Sequence, residues 1–294
     1  MKHVTSKWPH QDSIKVEWNL GKRCNLDCAY CPAEIHDNFS PHTDIAVLKR
    51  TIDQLASLNK PVRISFTGGE PCVHPKIDEL LQYAAERVYW INVTTNASRK
   101  PSWYAKQSVN HYVFSLHFDN KTVERMVNNI IHFRMLSDIP CHVNVMAHHE
   151  YMAQVKEAAA MFRAANVPYA IRRIRWTTKH DWFDDLKYNH KDLKWIIENN
   201  ATAEPNVLID GKTEMHANDV IKQHLNQFEG WKCNAGVESL MINWDGEVHR
   251  ATCRVGGSLG NIYKGTFVRP QEAVTCTRQW CTCAADIPLT KSDY

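Results

Sequence analysis

From residue 14 to residue 176 the chain repeats one pattern, a short β-rich run followed by an amphipathic helical segment. The strand-like runs fall at 14–20, 62–67, 90–95, 112–118, 142–146 and 169–176. Between them, Ile45, Leu48, Ile52 and Leu55 form a stripe at helical spacing, as do Ile77, Leu80, Leu81, Ala84 and Val88. Val123, Met126, Val127, Ile130 and Ile131 form a third stripe, and Met152, Val155, Ala159 and Phe162 a fourth. Strands that alternate with helices in this way predict an α/β fold of parallel β/α units joined by right-handed crossovers.

The runs also alternate within themselves. Ile14, Val16, Trp18, Val62, Ile64, Phe66, Ile91, Val93, Phe114, Leu116, Phe118, Val143 and Val145 share one side, which should face the helices. The other side carries Glu17, Asn19, Arg63, Ser65, Thr67, Asn92, Thr94, Ser115, His117, His142 and Asn144. A closed eight-stranded barrel fills its interior with branched apolar side chains. Burying isolated polar groups there would cost free energy. The pattern therefore predicts a (β/α)6 partial TIM-like barrel, open, with a wet inner face that holds a ligand. An ordinary sheet with one solvent face fits the same alternation.

The 294 residues accommodate one large domain and a smaller one. Neither a transmembrane stretch nor an apolar signal core is present, since the chain begins MKHVTSKWPHQDS. The expected location is cytoplasmic, with no membrane partner. A formal charge of +3 is too mild for a nucleic-acid surface. In a reducing compartment the ten cysteines are better read as metal ligands than as disulfides. Cys72 and Cys141 stand apart and read as small buried apolar side chains.

Three cysteines, Cys24, Cys28 and Cys31, form C-x3-C-x2-C in a loop after the first of these runs. Three thiolates hold a four-iron cluster and leave one iron open to a ligand. Structural zinc normally takes a fourth ligand nearby, for which His36 is the one argument. A second feature ends the run at 62–67, where the chain reads Ser65-Phe66-Thr67-Gly68-Gly69-Glu70-Pro71. Glycines free a backbone for close approach to a ligand, and a carboxylate beside them suits an ammonium.

With these two motifs the chain resembles the radical SAM superfamily, whose signature is the C-x3-C-x2-C loop with an aromatic residue, here Tyr30, before the last cysteine. Gly68, Gly69, Glu70 and Pro71 look like the GGEP motif that contacts the amino group of S-adenosylmethionine. The resemblance implies further cofactor contacts from Thr94, Asn96, Ser115, His117 and Asn144, with Ser115 in FSLHFD the best single choice. Asn96-Ala97 stands where relatives often have Asn-Gly. Each of these polar side chains also serves equally well as a strand cap.

The C-terminal part resembles the family's twitch or SPASM extension, a small cysteine-rich β-hairpin and helix module. The match runs through Cys233, a hairpin at 239–243 and 247–249 around Asp245-Gly246, Cys253, Gly260-Asn261-Ile262, and Cys276, Cys281 and Cys283. Five cysteines support one auxiliary [4Fe–4S] cluster with four ligands, which favours twitch. Spacing does not decide which of Cys276, Cys281 and Cys283 is the spare one; Cys233, Cys253, Cys281 and Cys283 are the preferred set. The long spacing from Gly246 to Cys253 and the C-x4-C-x-C ending depart from the family, and a four-cysteine zinc knot fits the same residues. The expected organisation is a core at 10–180, a connecting segment at 181–229 and the module at 230–290. The connecting segment carries a helical pattern at 187–199, a hairpin around Asp210-Gly211 and a helix near 218–228.

Arg172, Arg173 and Arg175 lie in the run at 169–176. Alternation puts Arg173 and Arg175 on one side and Arg172 on the other. Arg173 and Arg175 are the expected anion ligands for the substrate or the cofactor carboxylate, and surface salt bridges are the alternative. The resemblance implies reductive cleavage of S-adenosylmethionine to a 5′-deoxyadenosyl radical that takes a hydrogen atom from the substrate. A ferredoxin or flavodoxin is the expected electron donor, and the auxiliary cluster the expected electron acceptor. Only 23 residues precede Cys24, too few for a peptide-recognition domain, which favours a small molecule such as a phosphorylated sugar or nucleotide. A peptide-modifying enzyme is the alternative within the family, and a non-catalytic zinc or iron–sulfur protein the alternative outside it.

Overall fold

Period-two alternation becomes two physically different sheet faces, one dry and one polar. In the computed structural model, which describes residues 2–7, 12–174, 187–200 and 204–293, the first part of the chain runs β1 (His3–Ser6), β2 (Ile14–Asn19), α1 (Ile45–Ala56), β3 (Val62–Thr67), α2 (Ile77–Ala85), β4 (Trp90–Thr95), α3 (Pro101–Tyr104), β5 (His111–Leu116), α4 (Val123–Leu136), β6 (Cys141–Ala147), α5 (Met152–Ala164) and β7 (Tyr169–Arg173). β2 to β7 lie side by side in chain order, every pair parallel. Successive right-handed crossovers in one direction along a sheet keep the helices on one face.

That face is the core. Ile14, Val16, Trp18, Phe66, Val93, Phe114, Val143 and Val145 are fully buried, in one cluster with Leu48, Ile52 and Leu55 of α1, Leu80 and Leu81 of α2, Ile130 of α4 and Phe162 of α5. Each fully buried Leu, Ile, Val or Phe stabilises the fold by about 1.5–3 kcal/mol. Tyr104, Tyr112, Phe114 and Phe133 add an aromatic knot with edge contacts at centroid distances of 5.3 to 6.2 Å. Helix α1 starts where Asp44 accepts a hydrogen bond from the N–H of Ala46 at 2.7 Å, which satisfies one orphan donor of the first turn.

The second part runs α6 (His190–Asn199), β8 (Val207–Ile209), β9 (Thr213–Met215), α7 (Ala217–Lys222), β10 (Lys232–Cys233), β11 (Ser239–Ile242), β12 (Glu247–His249), β13 (Ser258–Asn261), β14 (Val274–Thr275) and β15 (Lys291–Ser292). The hairpins expected around Asp210-Gly211 and Asp245-Gly246 are present.

The cysteine-rich segment, expected as a module apart from the core, divides between two sheets. Its hairpin continues the main sheet, because β11 pairs in parallel with β2, Leu240 opposite Val16 and Ile242 opposite Trp18. The nine-stranded order is β13-β12-β11-β2-β3-β4-β5-β6-β7. Apolar Leu240 and Ile242 extend the buried row of β2, and that row supplies the driving force for the pairing. The remainder joins a six-stranded sheet, β14-β10-β15-β1-β8-β9, in which the N-terminal β1 sits between β15 and β8.

Candidate active site

The cysteine loop leaves β2 at the C-terminal edge of the parallel strands, the edge at which such sheets bind ligands. The turn after β3 grips it. The N–H of Glu70 donates to the carbonyl of Arg23 at 2.9 Å. Gly68 and Gly69 have φ of +80° and +43°, and a Cβ on Gly69 would lie 2.4 Å from Arg23 O and 2.6 Å from Lys22 O. The two glycines are thus required for close approach to the cysteine loop itself.

Glu70 does not present its carboxylate to a ligand. It is 3% exposed. One oxygen accepts from the N–H of Cys72 at 2.9 Å and from Thr95 Oγ1 at 2.7 Å, and the other from the N–H of Asn96 at 2.6 Å. Burial pushes its carboxyl above the usual range, against the pull of these donors. All three of these donors come from the protein itself, not from a ligand. The carboxylate ties the turn to the end of β4, and Pro71 opens the short turn that follows.

Asn96 continues the brace. Its Nδ2 donates to Asn25 Oδ1 in the cysteine loop at 2.8 Å, and its Oδ1 accepts from the N–H of Ser98. Ala97 takes a left-handed φ of +60°, the conformation that makes glycine favourable at this place. On the far side of the loop, the N–H of Cys24 donates to Asp37 O at 2.7 Å, while the Asp37 carboxylate accepts from Ser40 and pairs with Lys22 at 3.3 Å. His36, the zinc alternative, has Nε2 2.6 Å from the carbonyl of Leu26 and serves the loop backbone.

Tyr30 and His117 meet. Their rings stack at 5.9 Å and Tyr30 Oη lies 2.5 Å from His117 Nδ1. Burial lowers the His117 pKa to about 4, so the ring is neutral near pH 7 and its Nδ1 accepts the phenol proton. Asp119, in FSLHFD but given no role from sequence, accepts the N–H of Ala29 at 2.9 Å. Its other oxygen is buried with no hydrogen-bond partner among the described residues. Burial raises the thiols of Cys24, Cys28 and Cys31, Cys24 to about 11, and Asp119 adds to the rise at Cys28 and Cys31. Thiols in that state favour the proton until a cation replaces it, and iron is such a cation. The three thiols fit a cluster.

Thr94, Ser115 and Asn144 lie on the polar face, Ser115 directly opposite Asn144. The same face carries a cross-strand ladder: Asn92 Nδ2 donates to Ser65 Oγ at 3.1 Å, His111 Nδ1 lies 2.8 Å from Asn92 Oδ1, and the His111 and His142 rings are 5.2 Å apart.

The arginine assignment needs correction. Arg173 is opposite Ala147, in the row of Val145 and Ile171 that faces the helices. Arg172 is opposite Met146 and shares the polar face with Asn144, to whose Oδ1 its Nε donates at 3.1 Å. Buried Ile171 sets this phase, since its neighbours must point the other way. Arg175 lies outside the described residues.

The C-terminal cysteines come together in part. Cys233, Cys253, Cys276 and Cys281 line one small cavity with Arg278, Asp286 and Lys291, and Cys283 is not in its wall. Cys276, rather than Cys283, is the fourth cysteine of this cavity wall. Lys291, 2% exposed, donates to the carbonyls of Asp286, Ile287 and Leu289 at 2.7, 3.0 and 3.0 Å and so fixes one wall. Arg278 donates twice to Cys253 O. Burial raises the thiols of Cys233, Cys253 and Cys281, Cys253 to about 11. Among the described residues no group of three or more His, Cys, Asp or Glu side chains is set to hold a single metal ion.

A family model described as the radical SAM superfamily matches residues 18–174, more than half of the chain. The chain belongs to the radical SAM superfamily. Members of this superfamily use S-adenosylmethionine and a [4Fe–4S] cluster. The radical SAM chain is 39% identical over 84 residues to the Fe-coproporphyrin III synthase of Methanosarcina barkeri, across 28% of this chain and 21% of that protein. It is 31% identical over 88 residues to an S-adenosylmethionine-dependent nucleotide dehydratase of Selenomonas ruminantium, across 29% of this chain and 31% of that one. These matches span less than a third of either relative's length. In fold it is similar to the solved structure of anSMEcpe with bound AdoMet, at a TM-score of 0.57 and 13% identity, over 86% of this chain and 79% of that one. No helix among the described residues is long and apolar enough to cross a membrane.

Proposed function

We propose that this chain is a radical SAM enzyme acting on a small molecule, with β2 to β7 forming an open (β/α)6 partial barrel whose polar face receives the substrate. The observation that carries the reading is the brace on the cysteine loop: Gly69 against Arg23, Glu70 onto Thr95 and Asn96, Asn96 onto Asn25. It holds Cys24, Cys28 and Cys31 at the strand edge, above the polar face.

When bound, S-adenosylmethionine and the [4Fe–4S] cluster supply one-electron cleavage to a 5′-deoxyadenosyl radical and hydrogen-atom abstraction from an unactivated carbon. The residues of this chain position and shield. Cys24, Cys28 and Cys31 are the cluster ligands. Tyr30, set by His117, closes one wall. Ser115, Thr94 and Asn144 offer hydrogen-bonding groups along the polar face. The carbonyls and N–H groups of Gly68 and Gly69, rather than the Glu70 carboxylate, are the groups free to meet the cofactor. A small-molecule substrate is supported by the match to a nucleotide dehydratase. A ferredoxin or flavodoxin is the proposed electron donor.

The proposed auxiliary [4Fe–4S] cluster has Cys233, Cys253, Cys276 and Cys281 as its ligands, a set supported by the cavity they share. With four protein ligands it has no iron left for substrate, which supports a role as electron acceptor.

Anaerobic reconstitution with iron and sulfide, reduction by dithionite and assay for 5′-deoxyadenosine test the reading. The wild type should form deoxyadenosine and Cys28→Ala none. No deoxyadenosine from protein with a loaded cluster would sink the proposal.

A further inference from the structure

Arg172 lies one residue before β7 ends, at the edge of the sheet where the cysteine loop lies. It is half-buried on the polar face. Its Nε donates to Asn144 Oδ1 at 3.1 Å, which orients the guanidinium and leaves its terminal nitrogens without a hydrogen-bond acceptor among the described residues. Among the described residues no carboxylate pairs with it. Burying a cation costs free energy that a counter-charge normally offsets.

Its neighbours are donors or neutral bases. Nδ1 of His216, at the N-terminus of α7, accepts from the N–H of Asn218 at 3.2 Å, so a neutral ring carries its proton on Nε2. Asp219, the acid beside His216, is paired with Lys222 at 3.1 Å. His142 is on the same face as Asn144, two residues before it on β6, with its ring 5.2 Å from that of His111 at a tilt of 39°. Burial keeps His142 and His216 below the usual imidazole range, and the charge of Arg172 adds to the effect on both. Among the described residues this region is rich in N–H groups, and its one nearby acid, Asp219, is held by Lys222. A planar guanidinium that keeps its terminal Nη1/Nη2 pair, beside a fixed imidazole N–H, suits an oxyanion.

We propose that Arg172, oriented by Asn144 and assisted by His216 and His142, binds an oxyanion of the substrate, a phosphate or a carboxylate, at the polar face of the sheet. The inference rests on the reading that substrate enters this face, and it narrows the substrate to an anionic small molecule.

The test is binding of two probes, inorganic pyrophosphate and malonate, to anaerobically reconstituted holoenzyme saturated with S-adenosylmethionine, by equilibrium dialysis. Wild type should bind one of them, and the preferred probe tells phosphate from carboxylate. Arg172→Gln should lose about tenfold to a hundredfold in affinity, as removal of a charged hydrogen-bond donor does. Arg172→Lys should lose less, His216→Gln should also weaken binding, and Arg173→Gln should bind as wild type does. Failure of wild type to bind either probe overturns the proposal, as does unchanged binding by Arg172→Gln. Unchanged probe binding with weakened S-adenosylmethionine binding in Arg172→Gln also overturns it, and places the guanidinium on the cofactor. Deoxyadenosine formation by wild type is read separately, so failure of the enzyme reading is distinguishable from failure of this site.

Discussion

Glu70 and Asn96, 26 positions apart in the chain, are joined by a 2.6 Å hydrogen bond from the Asn96 N–H to the Glu70 carboxylate, and through Asn96 the contact reaches Asn25 between two cluster cysteines. The acid of the GGEP motif is thereby part of the scaffold. Glu70→Gln puts an NH2 against one of three N–H or O–H donors. It should cost about 1–3 kcal/mol of stability, measured by denaturant unfolding. Direct pairing with the cofactor predicts the opposite outcome, weaker S-adenosylmethionine binding at unchanged stability.

Gly69→Ala should disrupt the loop outright. Its Cβ would meet the Arg23 and Lys22 carbonyls at 2.4 and 2.6 Å, and the backbone there is left-handed. The reconstituted variant should lose the cluster on Cys24, Cys28 and Cys31, roughly half of the bound iron if each site holds four irons. Iron content equal to that of wild type would contradict this account of the turn.

Cys276→Ala and Cys283→Ala separate the two ligand sets for the auxiliary site. Cys276 lines the cavity with Cys233, Cys253 and Cys281, and Cys283 does not. Mössbauer spectra of the reconstituted variants should show the auxiliary cluster lost from Cys276→Ala and kept in Cys283→Ala. The reverse pattern restores the set Cys233, Cys253, Cys281 and Cys283.

Loss of the auxiliary cluster alone also tests its role. Cys253→Ala should still form deoxyadenosine and fail to complete the substrate oxidation. Full product from a variant shown to lack that cluster would leave it a structural part.

His142 should make stability fall in mild acid. Burial, then His111 and Arg172, lower its folded pKa to about 4, against about 6.5 unfolded. The unfolded chain therefore takes the proton first. The contribution is complete above pH about 6.5 and is lost as pH falls toward 4, on the order of 1 kcal/mol between pH 6.5 and 5.5. Anaerobic urea unfolding of wild type and His142→Gln checks it, since the variant should have a shallower pH slope.

Much of the sheet was legible along the chain. The runs at 62–67 and 90–95 coincide with β3 and β4, because alternation and turn residues bound them on both sides. The run at 169–176 begins with β7, which ends at Arg173, and its last two positions lie outside the described residues. β1 was not legible: four residues with one buried side chain carry no periodic signal, and partners near residues 208 and 291 define the strand. Asp119 and Asn25 were also silent, since polar residues in loops acquire roles only through the neighbours they meet.

By itself the sequence determined what spacing can carry: parallel β/α units, a dry face and a polar face, and three thiols close enough for one cluster. Those features depend on residues within a few positions of one another. Tertiary structure decided which arginine of β7 shares the polar face with Asn144, which four of five distant cysteines share a cavity, and which three donors hold the Glu70 carboxylate. Each depends on segments tens to hundreds of residues apart, brought together by burial of Ile171, Leu240 and the rows beside them.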